Sequence, residues 1–410
     1  MRNLSSRRVG LGSSVLILAS TLLLACGGRI IENNSDGGKT DPLDGGKDDI
    51  LPRADASPPG PDARIPDAQP SRADASARVD ARPTSSDAGP PPTDTGWLRT
   101  EGNKILLPGG QTWHARGANI HDTRSCNACT WSAPRVGEVL RRVDALVDDW
   151  KANFMRLDLE SYAEAGGREH YQSFVVDPQY MQDIRTIVEH VATKPGVYVM
   201  VSLWIEPTTT ELDWPTEGTR VAWRMLAREF ANMPHVLYGL VNEPQQNYSG
   251  ALNAQVWDAM NQTVQAIRDV ENELGTPHHI VAVQGTGGWA RFLDYYITHP
   301  ITAGNGKNVA YETHVYNRPS DFARLFIEPS KTLPVIIGEF GPGGSMTNDD
   351  VTSLMEKAEE LEIPYLAWTF HQRCAPNLLV DITGRGCGAG MALTPTPWGQ
   401  LFKDRLAQPY

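Results

Sequence analysis

The stretch VLYGLVNEP at residues 236–244 joins an apolar, strand-forming run to two polar residues, Asn242 and Glu243. The stretch PVIIGEFG at residues 334–341 has the same layout and carries Glu339. Short apolar runs of this kind are typical of strands that are buried on both faces of a parallel sheet. The two runs therefore predict two buried parallel strands, each of which ends close to a glutamate.

Six further segments have the same strand-like character. They lie at residues 112–120, 153–159, 197–204, 279–285, 308–316 and 364–370. Between the first two, apolar residues recur every three or four positions from Val136 to Trp150, which predicts an amphipathic helix packed on the sheet. Eight such units predict an α/β protein with a (β/α)8 TIM barrel. An open doubly wound sheet is the alternative, but the sequence lacks the Gly-rich phosphate turn typical of that fold.

Polar residues interrupt the apolar runs near the predicted strand ends, where active sites of such barrels lie. They are Asn119, His121, Arg156, Trp204, Asn242, Glu243, His314, Tyr316, Glu339 and Trp368. Cleavage of a glycosidic bond needs one protonated and one ionised carboxyl group, and the two glutamates suit these tasks. A nearby cation lowers a carboxyl pKa. We therefore expect Arg156 to keep Glu339 ionised, leaving Glu243 as the proton donor.

These residues resemble glycoside hydrolase family 5, whose members are retaining, cellulase-like (β/α)8 barrels. The resemblance covers residues 96–410 and rests on N-E-P at the fourth strand, G-E-F at the seventh and H-x-Y at the sixth. It extends to Arg156 at the end of the second strand and to Trp368 at the eighth.

The resemblance implies a role for each matched position. Glu339 would form a covalent glycosyl-enzyme, and Glu243 would act first as acid and then as base. Asn242 would hold the sugar 2-hydroxyl, Tyr316 would orient Glu339, and Trp368 would form the floor beneath the sugar. His314 is a further matched substrate-binding position.

The third strand departs from the family pattern. Many members end this strand in a histidine that lines the cleft, whereas this chain has Ser202-Leu203-Trp204. His121 is expected to serve in its place, and Trp204 either stacks on a sugar ring or packs inside the barrel. Asp158 and Glu160 close the second strand, and we expect a structural or solvated role for both.

The first 95 residues predict an exported, lipid-anchored protein. Residues 1–25 combine Arg2, Arg7 and Arg8 with the apolar run VLILASTLLLA, which is the layout of a secretory signal. The residues that follow the run resemble a bacterial lipobox, in which Cys26 would be lipidated. Residues 26–95 hold no aromatic residue and are rich in Pro, Ala and Asp, so we expect a disordered tether before the catalytic domain. Display on the outer membrane or the cell surface is our expectation.

Composition narrows the choice of partners. The net charge of −12 argues against a nucleic-acid partner, which would favour clustered Lys and Arg. Apart from Cys26 the chain has four cysteines, and their closeness in sequence suggests the disulfides Cys126–Cys129 and Cys374–Cys387. The spacing of these cysteines does not suit zinc. We expect a monomer that binds polysaccharide, needs no cofactor or metal, and contacts the membrane through its N-terminal lipid.

The residues and their spacing are compatible with three functions. The leading hypothesis is an endo-acting β-1,4-glucanase, and an endo-β-1,4-mannanase on the same scaffold is the closest alternative. A surface lipoprotein that binds carbohydrate without cleaving it is a second alternative. A serine hydrolase would need a G-x-S-x-G elbow, which the sequence lacks.

Overall fold

The computed structural model describes residues 96–124, 135–160, 174–205, 214–244, 246–381 and 390–410. The side chains of Glu160 and Ile205 are outside this description. The predicted signal (residues 1–25), the lipidated Cys26 and the tether (residues 26–95) also lie outside it, as do Cys126, Cys129 and Cys387. Cys374 is buried, and both disulfide pairings stay predictions.

A short hairpin precedes the barrel. It consists of β1 (Arg99–Glu101) and β2 (Lys104–Leu106), which pair antiparallel. The sequence analysis did not predict this hairpin.

Eight parallel strands then form a closed barrel, in which each strand pairs with the next in the chain and the last pairs with the first. They are β3 (Arg116–His121), β4 (Phe154–Glu160), β5 (Tyr198–Ile205), β6 (Val236–Gly239), β7 (Val281–Gln284), β8 (Val309–Val315), β9 (Val335–Phe340) and β10 (Tyr365–Ala367). Each of the eight predicted segments overlaps one of these strands. The closed ring confirms the (β/α)8 barrel and excludes the open doubly wound sheet.

Helices cover the outside of the barrel. They are α1 (Val136–Asp144), α2 (Pro178–Ala192), α3 (Glu217–Glu229), α4 (Asn253–Leu274), α5 (Asp294–Thr298), α6 (Asn348–Glu360) and α7 (Pro397–Leu406). After β8, short 3-10 and π-helical turns between Pro319 and Lys331 take the place of a regular helix. Among the described residues, no helix is both long enough and apolar enough to cross a bilayer.

Local sequence signals explain where several helices begin and end. The α2 helix begins with a proline, and the Asp177 side chain accepts hydrogen bonds from the first-turn N–H groups. Thr216 and Thr347 form capping boxes at the starts of α3 and α6. Gly275, with φ +67°, ends α4 in the left-handed conformation that glycine adopts without strain.

The interior of the barrel is apolar at the bottom and polar at the top. Along β4, Phe154 packs in the lower interior layer, whereas the next inward residue, Arg156, belongs to the polar upper layer. The hairpin closes the bottom, where Leu98 and Ile105 pack with Trp113 in that same layer. Side chains alternate along each strand, and the inward-facing positions above the apolar layer are the ones that carry the polar groups.

Candidate active site

The structure brings Glu243 and Glu339 together at the C-terminal end of the barrel. Glu339 lies on β9, and Glu243 follows the end of β6. One carboxylate oxygen of each glutamate and one ring nitrogen of His314 all lie within 4.8 Å of one another. Residues that are almost a hundred positions apart in the chain therefore share one small site.

Glu339 is the more deeply buried of the two glutamates. Its side chain is 3% exposed, and it accepts hydrogen bonds from Arg156 Nη1 at 2.8 Å and from the Tyr316 hydroxyl at 3.0 Å. Burial raises the pKa of Glu339, while the charges of His314 and Arg156 act in the opposite direction without cancelling the rise. The expected contact with Arg156 is present, but this cation does not bring the Glu339 pKa below its ordinary value.

Glu243 is nearer to solvent and is held by two contacts. Its side chain is 14% exposed, and Oε1 lies 3.0 Å from His314 Nδ1. Its backbone has φ +47°, which is uncommon for a residue other than glycine. The Glu243 N–H donates to Oε1 of Gln284, the last residue of β7, and this bond helps to fix the unusual backbone.

His314 lies between the two glutamates as a cation. Burial would lower the pKa of His314, but the carboxylates of Glu339, Glu243 and Glu312 outweigh burial and raise it to about 10. The Nδ1 atom lies 3.0 Å from Glu243 and 3.5 Å from Glu339. The ligand atoms of Glu243, His314 and Glu339 are also close enough together to hold a metal ion, so the expectation of a metal-free site stays a prediction.

Arg156 lies beneath this group and is fully buried. Its partners besides Glu339 are Asn119 (3.0 Å), Asn242 (2.9 Å), Ser202 (3.2 Å), Asp158 (3.1 Å) and Glu312 (3.3 Å). Burial disfavours the charged guanidinium, but the three surrounding carboxylates raise the Arg156 pKa above its ordinary value. The cation is thus shared among three acids, which explains why it does not outweigh the burial of Glu339.

Three predicted aromatic residues also meet at this end of the barrel. Trp204 stacks on Trp368 with ring centres 5.6 Å apart, and His121 lies edge-on to both rings. Trp368 is 1% exposed and Trp204 is 8% exposed. This packing favours the interpretation of Trp204 as an interior residue, while the sugar contacts of His121, Trp204 and Trp368 stay predictions.

The sequence analysis did not single out Glu312 or Gln284. Both are fully buried, and both contact His314 or Glu243. Asp158, for which we expected a structural or solvated role, is buried and pairs with Arg156. Each of the two missed residues interrupts an apolar strand, in VAYETHV and VAVQG, and this is the same signal that identified the others.

Comparison with known proteins agrees with this architecture. The family model described as "Cellulase (glycosyl hydrolase family 5)" matches residues 109–373. The chain is 24% identical over 176 residues to an endoglucanase of Halalkalibacter akibai, a match that covers 42% of this chain and 21% of the relative. It is 26% identical over 173 residues to the cellulase CelDZ1 of a Thermoanaerobacterium species, covering 42% of this chain and 41% of the relative. The matched segments thus span less than half of either relative.

The fold is also shared with a solved structure, the catalytic domain of Thermobifida fusca endoglucanase Cel5A. The TM-score is 0.59 at 20% identity, over 77% of this chain and 98% of that one. At this identity the likeness concerns the fold alone. The family model, by contrast, covers more than half of the 410 residues. The chain therefore belongs to the cellulase family, glycosyl hydrolase family 5.

Proposed function

We propose that this chain is a retaining, endo-acting glycoside hydrolase that cleaves β-1,4-linked glucan. The observation that carries the proposal is the approach of Glu243 and Glu339, whose nearest oxygens lie within 4.8 Å. Retaining glycosidases place their two carboxyl groups about 5–5.5 Å apart, whereas inverting enzymes leave about 6.5–9.5 Å for a water molecule. The short separation favours direct attack on the sugar by one of the two glutamates.

In the first step, Glu339 acts as the nucleophile. Its carboxylate oxygen bonds to the anomeric carbon while the bond from that carbon to the leaving oxygen breaks, and Glu243 donates its proton to the leaving oxygen. The contacts of Glu339 with Arg156 and Tyr316 hold its carboxylate in a fixed orientation for this attack.

In the second step, water releases the sugar from Glu339. Glu243 takes a proton from the water, the resulting oxygen bonds to the anomeric carbon, and the ester bond to Glu339 breaks. Because the glycosyl ester carries no charge, Glu243 faces no neighbouring carboxylate while it acts as a base. The greater exposure of Glu243 suits a group that must exchange protons with water. Two displacements at one carbon restore its original configuration.

Substrate binding is assigned to the residues around the two glutamates. Asn242, oriented by Arg156 at 2.9 Å, is proposed to receive the sugar 2-hydroxyl. His121, Trp204, His314, Tyr316 and Trp368 are proposed to complete the sugar site. The names of the relatives, endoglucanase and cellulase, favour glucan over mannan as the polymer.

Hydrolysis of a substrate panel tests the proposal. The purified protein should release reducing ends from carboxymethylcellulose or mixed-linkage β-glucan with a rapid fall in viscosity, which marks internal cleavage. Proton NMR of fresh products should show the β-anomer first. Cleavage of mannan alone would replace glucan with the mannanase alternative, and inactivity on every β-linked polymer would overturn the proposal.

The Glu339→Ala variant distinguishes the proposed enzyme from a protein that only binds carbohydrate. A binding protein would keep its affinity for glucan and would have no turnover to lose. The proposed enzyme would lose turnover by about a thousandfold or more, because the variant lacks the nucleophile.

We also propose that the protein is exported and anchored through lipid on Cys26. The support is the charged and apolar layout of residues 1–25 followed by the lipobox-like residues and the Pro-rich tether. Outer-membrane or surface display would place the barrel where polysaccharide is found.

A further inference from the structure

Glu312 is a buried carboxylate with no part in the proposed chemical steps. It lies on β8 two residues before His314, so both side chains point into the barrel, and it is fully buried. A buried charge is costly unless it is paired and hydrogen-bonded. The partners of Glu312 therefore indicate what this carboxylate does.

Three groups converge on the Glu312 carboxylate. Its Oε1 lies 3.3 Å from Arg156 Nε and 3.2 Å from His314 Nε2, and the Gln284 side-chain amide lies close enough to lower its pKa. Its Oε2 is buried without a hydrogen-bond partner among the residues that the structure describes. Burial alone would raise the pKa of Glu312, but these cations and hydrogen bonds outweigh burial and bring it below the ordinary value. Glu312 is thus an anion whose carboxylate is surrounded by two cations and an amide.

Each of the three donors also holds one of the proposed catalytic glutamates. Arg156 donates to the Glu339 carboxylate, and His314 lies within reach of both glutamates. Gln284 accepts the backbone N–H of Glu243 through Oε1, which leaves its amide nitrogen as the donor on the opposite side. Glu312 is therefore connected to the catalytic pair by three separate routes.

The contacts of His314 favour protonation of both ring nitrogens. Nδ1 lies 3.0 Å from Glu243, and Nε2 lies 3.2 Å from Glu312 and 3.2 Å from the Gln284 side-chain nitrogen, which is itself a donor. An imidazole that donates from both nitrogens is a cation. The charged and titratable groups that face His314 are Glu243, Glu312, Glu339, Arg156 and Tyr316.

The neighbouring strand leaves room for this carboxylate. A Cβ atom added to Gly338 on β9 would lie 2.0 Å from Glu312 Oε1. Real Cβ atoms do not approach an oxygen so closely, so any larger residue before Glu339 would displace the Glu312 carboxylate. The glycine in G-E-F and the glutamate on β8 are thus sterically matched.

We infer that Glu312 is a positioning residue for the reaction, which keeps His314 doubly protonated and holds Arg156 and Gln284 against the two catalytic glutamates. This inference rests on the proposed function for its catalytic consequence. Its effect on His314 is independent of any substrate. Glu312 is assigned no contact with the sugar or with the reacting atoms.

The test compares Glu312→Gln with Glu312→Asp in the full chain. The first keeps the shape and removes the charge, and the second keeps the charge and shortens the reach. In Glu312→Gln, the pKa of His314, followed by histidine 15N NMR and assigned through a His314→Asn variant, should fall by about one unit or more. The alkaline limb of the kcat/KM profile should move to lower pH, and kcat should fall about tenfold or more with KM nearly unchanged. Glu312→Asp should restore the His314 titration but not the full kcat.

A matched control exists at the other end of the barrel. Glu271 is likewise buried and pairs with an arginine and a histidine, Arg268 and His279. Glu271→Gln should lower stability without moving the pH profile or the His314 titration, because this cluster does not contact the site.

The outcomes distinguish this inference from the proposed function. A wild-type His314 titration together with a wild-type pH profile in Glu312→Gln would overturn the positioning role, whatever the substrate. If Glu312→Gln does not fold, wild-type kcat and pH profile in Glu312→Asp would overturn it instead. If the wild-type protein is inactive on all β-linked polymers, the proposed function is wrong. The NMR titration would still decide whether Glu312 controls the protonation of His314.

Discussion

Glu339 shows at the scale of one residue how function and stability oppose each other. Its pKa is raised by burial, so the ionised form that the reaction needs is disfavoured inside the folded barrel. The raised folded-state pKa means that this carboxylate costs stability at pH values above its unfolded pKa of about 4.3, and that the cost disappears at more acidic pH.

Replacing this charge should therefore stabilise the fold. We predict that Glu339→Gln raises the unfolding midpoint at pH 7 by about 2 °C or more, while kcat falls by at least about a thousandfold. The stabilisation should vanish near pH 3, where Glu339 is protonated in both states. Calorimetry at the two pH values measures it, and Glu328→Gln on the exposed surface is the matched control. A lower midpoint at pH 7 would show that the contacts of Glu339 outweigh its burial.

The Tyr316 hydroxyl offers a second test at this scale. It donates to Glu339 Oε2 at 3.0 Å, and this bond lowers the Glu339 pKa. A hydrogen bond to a charged group contributes about 1.5–3 kcal/mol, so Tyr316→Phe should move the acid limb of kcat/KM upward by about one pH unit or more. Tyr311→Phe, on the outward face of β8, which ends just before Tyr316, should leave the limb in place. An unmoved limb in Tyr316→Phe would show that the hydroxyl does not control the ionisation of Glu339.

The site residues differ in how far the sequence could predict them. Glu243, Glu339 and His314 stand at or just beyond strand ends beside recognisable motifs, and the structure brings them together with Arg156. Arg156 was expected to close its strand, but it lies in the middle of β4, which continues to Glu160. Glu312 lies in the middle of an apolar run, and a pattern of buried parallel strands does not show which residues face inward. Its role depends on contacts with three other strands, which no local pattern contains.

At the scale of elements, the barrel strands were predictable and the bottom hairpin was not. Short apolar runs mark the strands because both of their faces are buried. The hairpin strands have three residues each, with partly exposed side chains, so their pattern is too short and too polar to indicate a strand. The regular helix expected up to Trp150 also changes to a π-helical turn at Ala145–Asp149. That change reflects packing, which periodicity alone does not specify.

We expect the hairpin to contribute to the stability of the fold and not to catalysis. Ile105 on β2 is buried in the lower interior layer, at the end of the barrel opposite the two glutamates. We predict that Ile105→Ala lowers the free energy of unfolding by about 2–4 kcal/mol, because it leaves a cavity in a packed layer. Urea unfolding measures this loss, while kcat/KM at 25 °C should stay within about twofold of wild type. Loss of activity at temperatures where the variant is fully folded would contradict this separation of the two ends.

At the scale of the whole molecule, barrel closure is what assembles the site. Residues of β4, β8 and β9 and one residue after β6 contribute to one group of side chains, although they are far apart in the chain. The parallel arrangement brings all strand ends to the same face, and the pairing of β8 with β9 sets His314 opposite Glu339. The apolar lower layer and the polar upper layer follow from the same geometry, which lets the fold be stabilised at one end and carry chemistry at the other.

The proposed anchor makes a prediction about the entire chain that is separate from the barrel. An acyl chain contributes about 0.8 kcal/mol of membrane affinity for each buried CH2 group, so a multiply acylated Cys26 would hold the protein at a membrane firmly. We predict that Cys26→Ser moves the exported protein from the detergent phase to the aqueous phase in a phase-partition experiment. A Ser57→Ala change in the tether should leave it in the detergent phase. If residues 26–95 form the proposed tether between the lipid and the barrel, kcat/KM on soluble glucan should be equal for the released and anchored forms. A Cys26→Ser protein that still partitions with detergent would show that Cys26 is not the anchor.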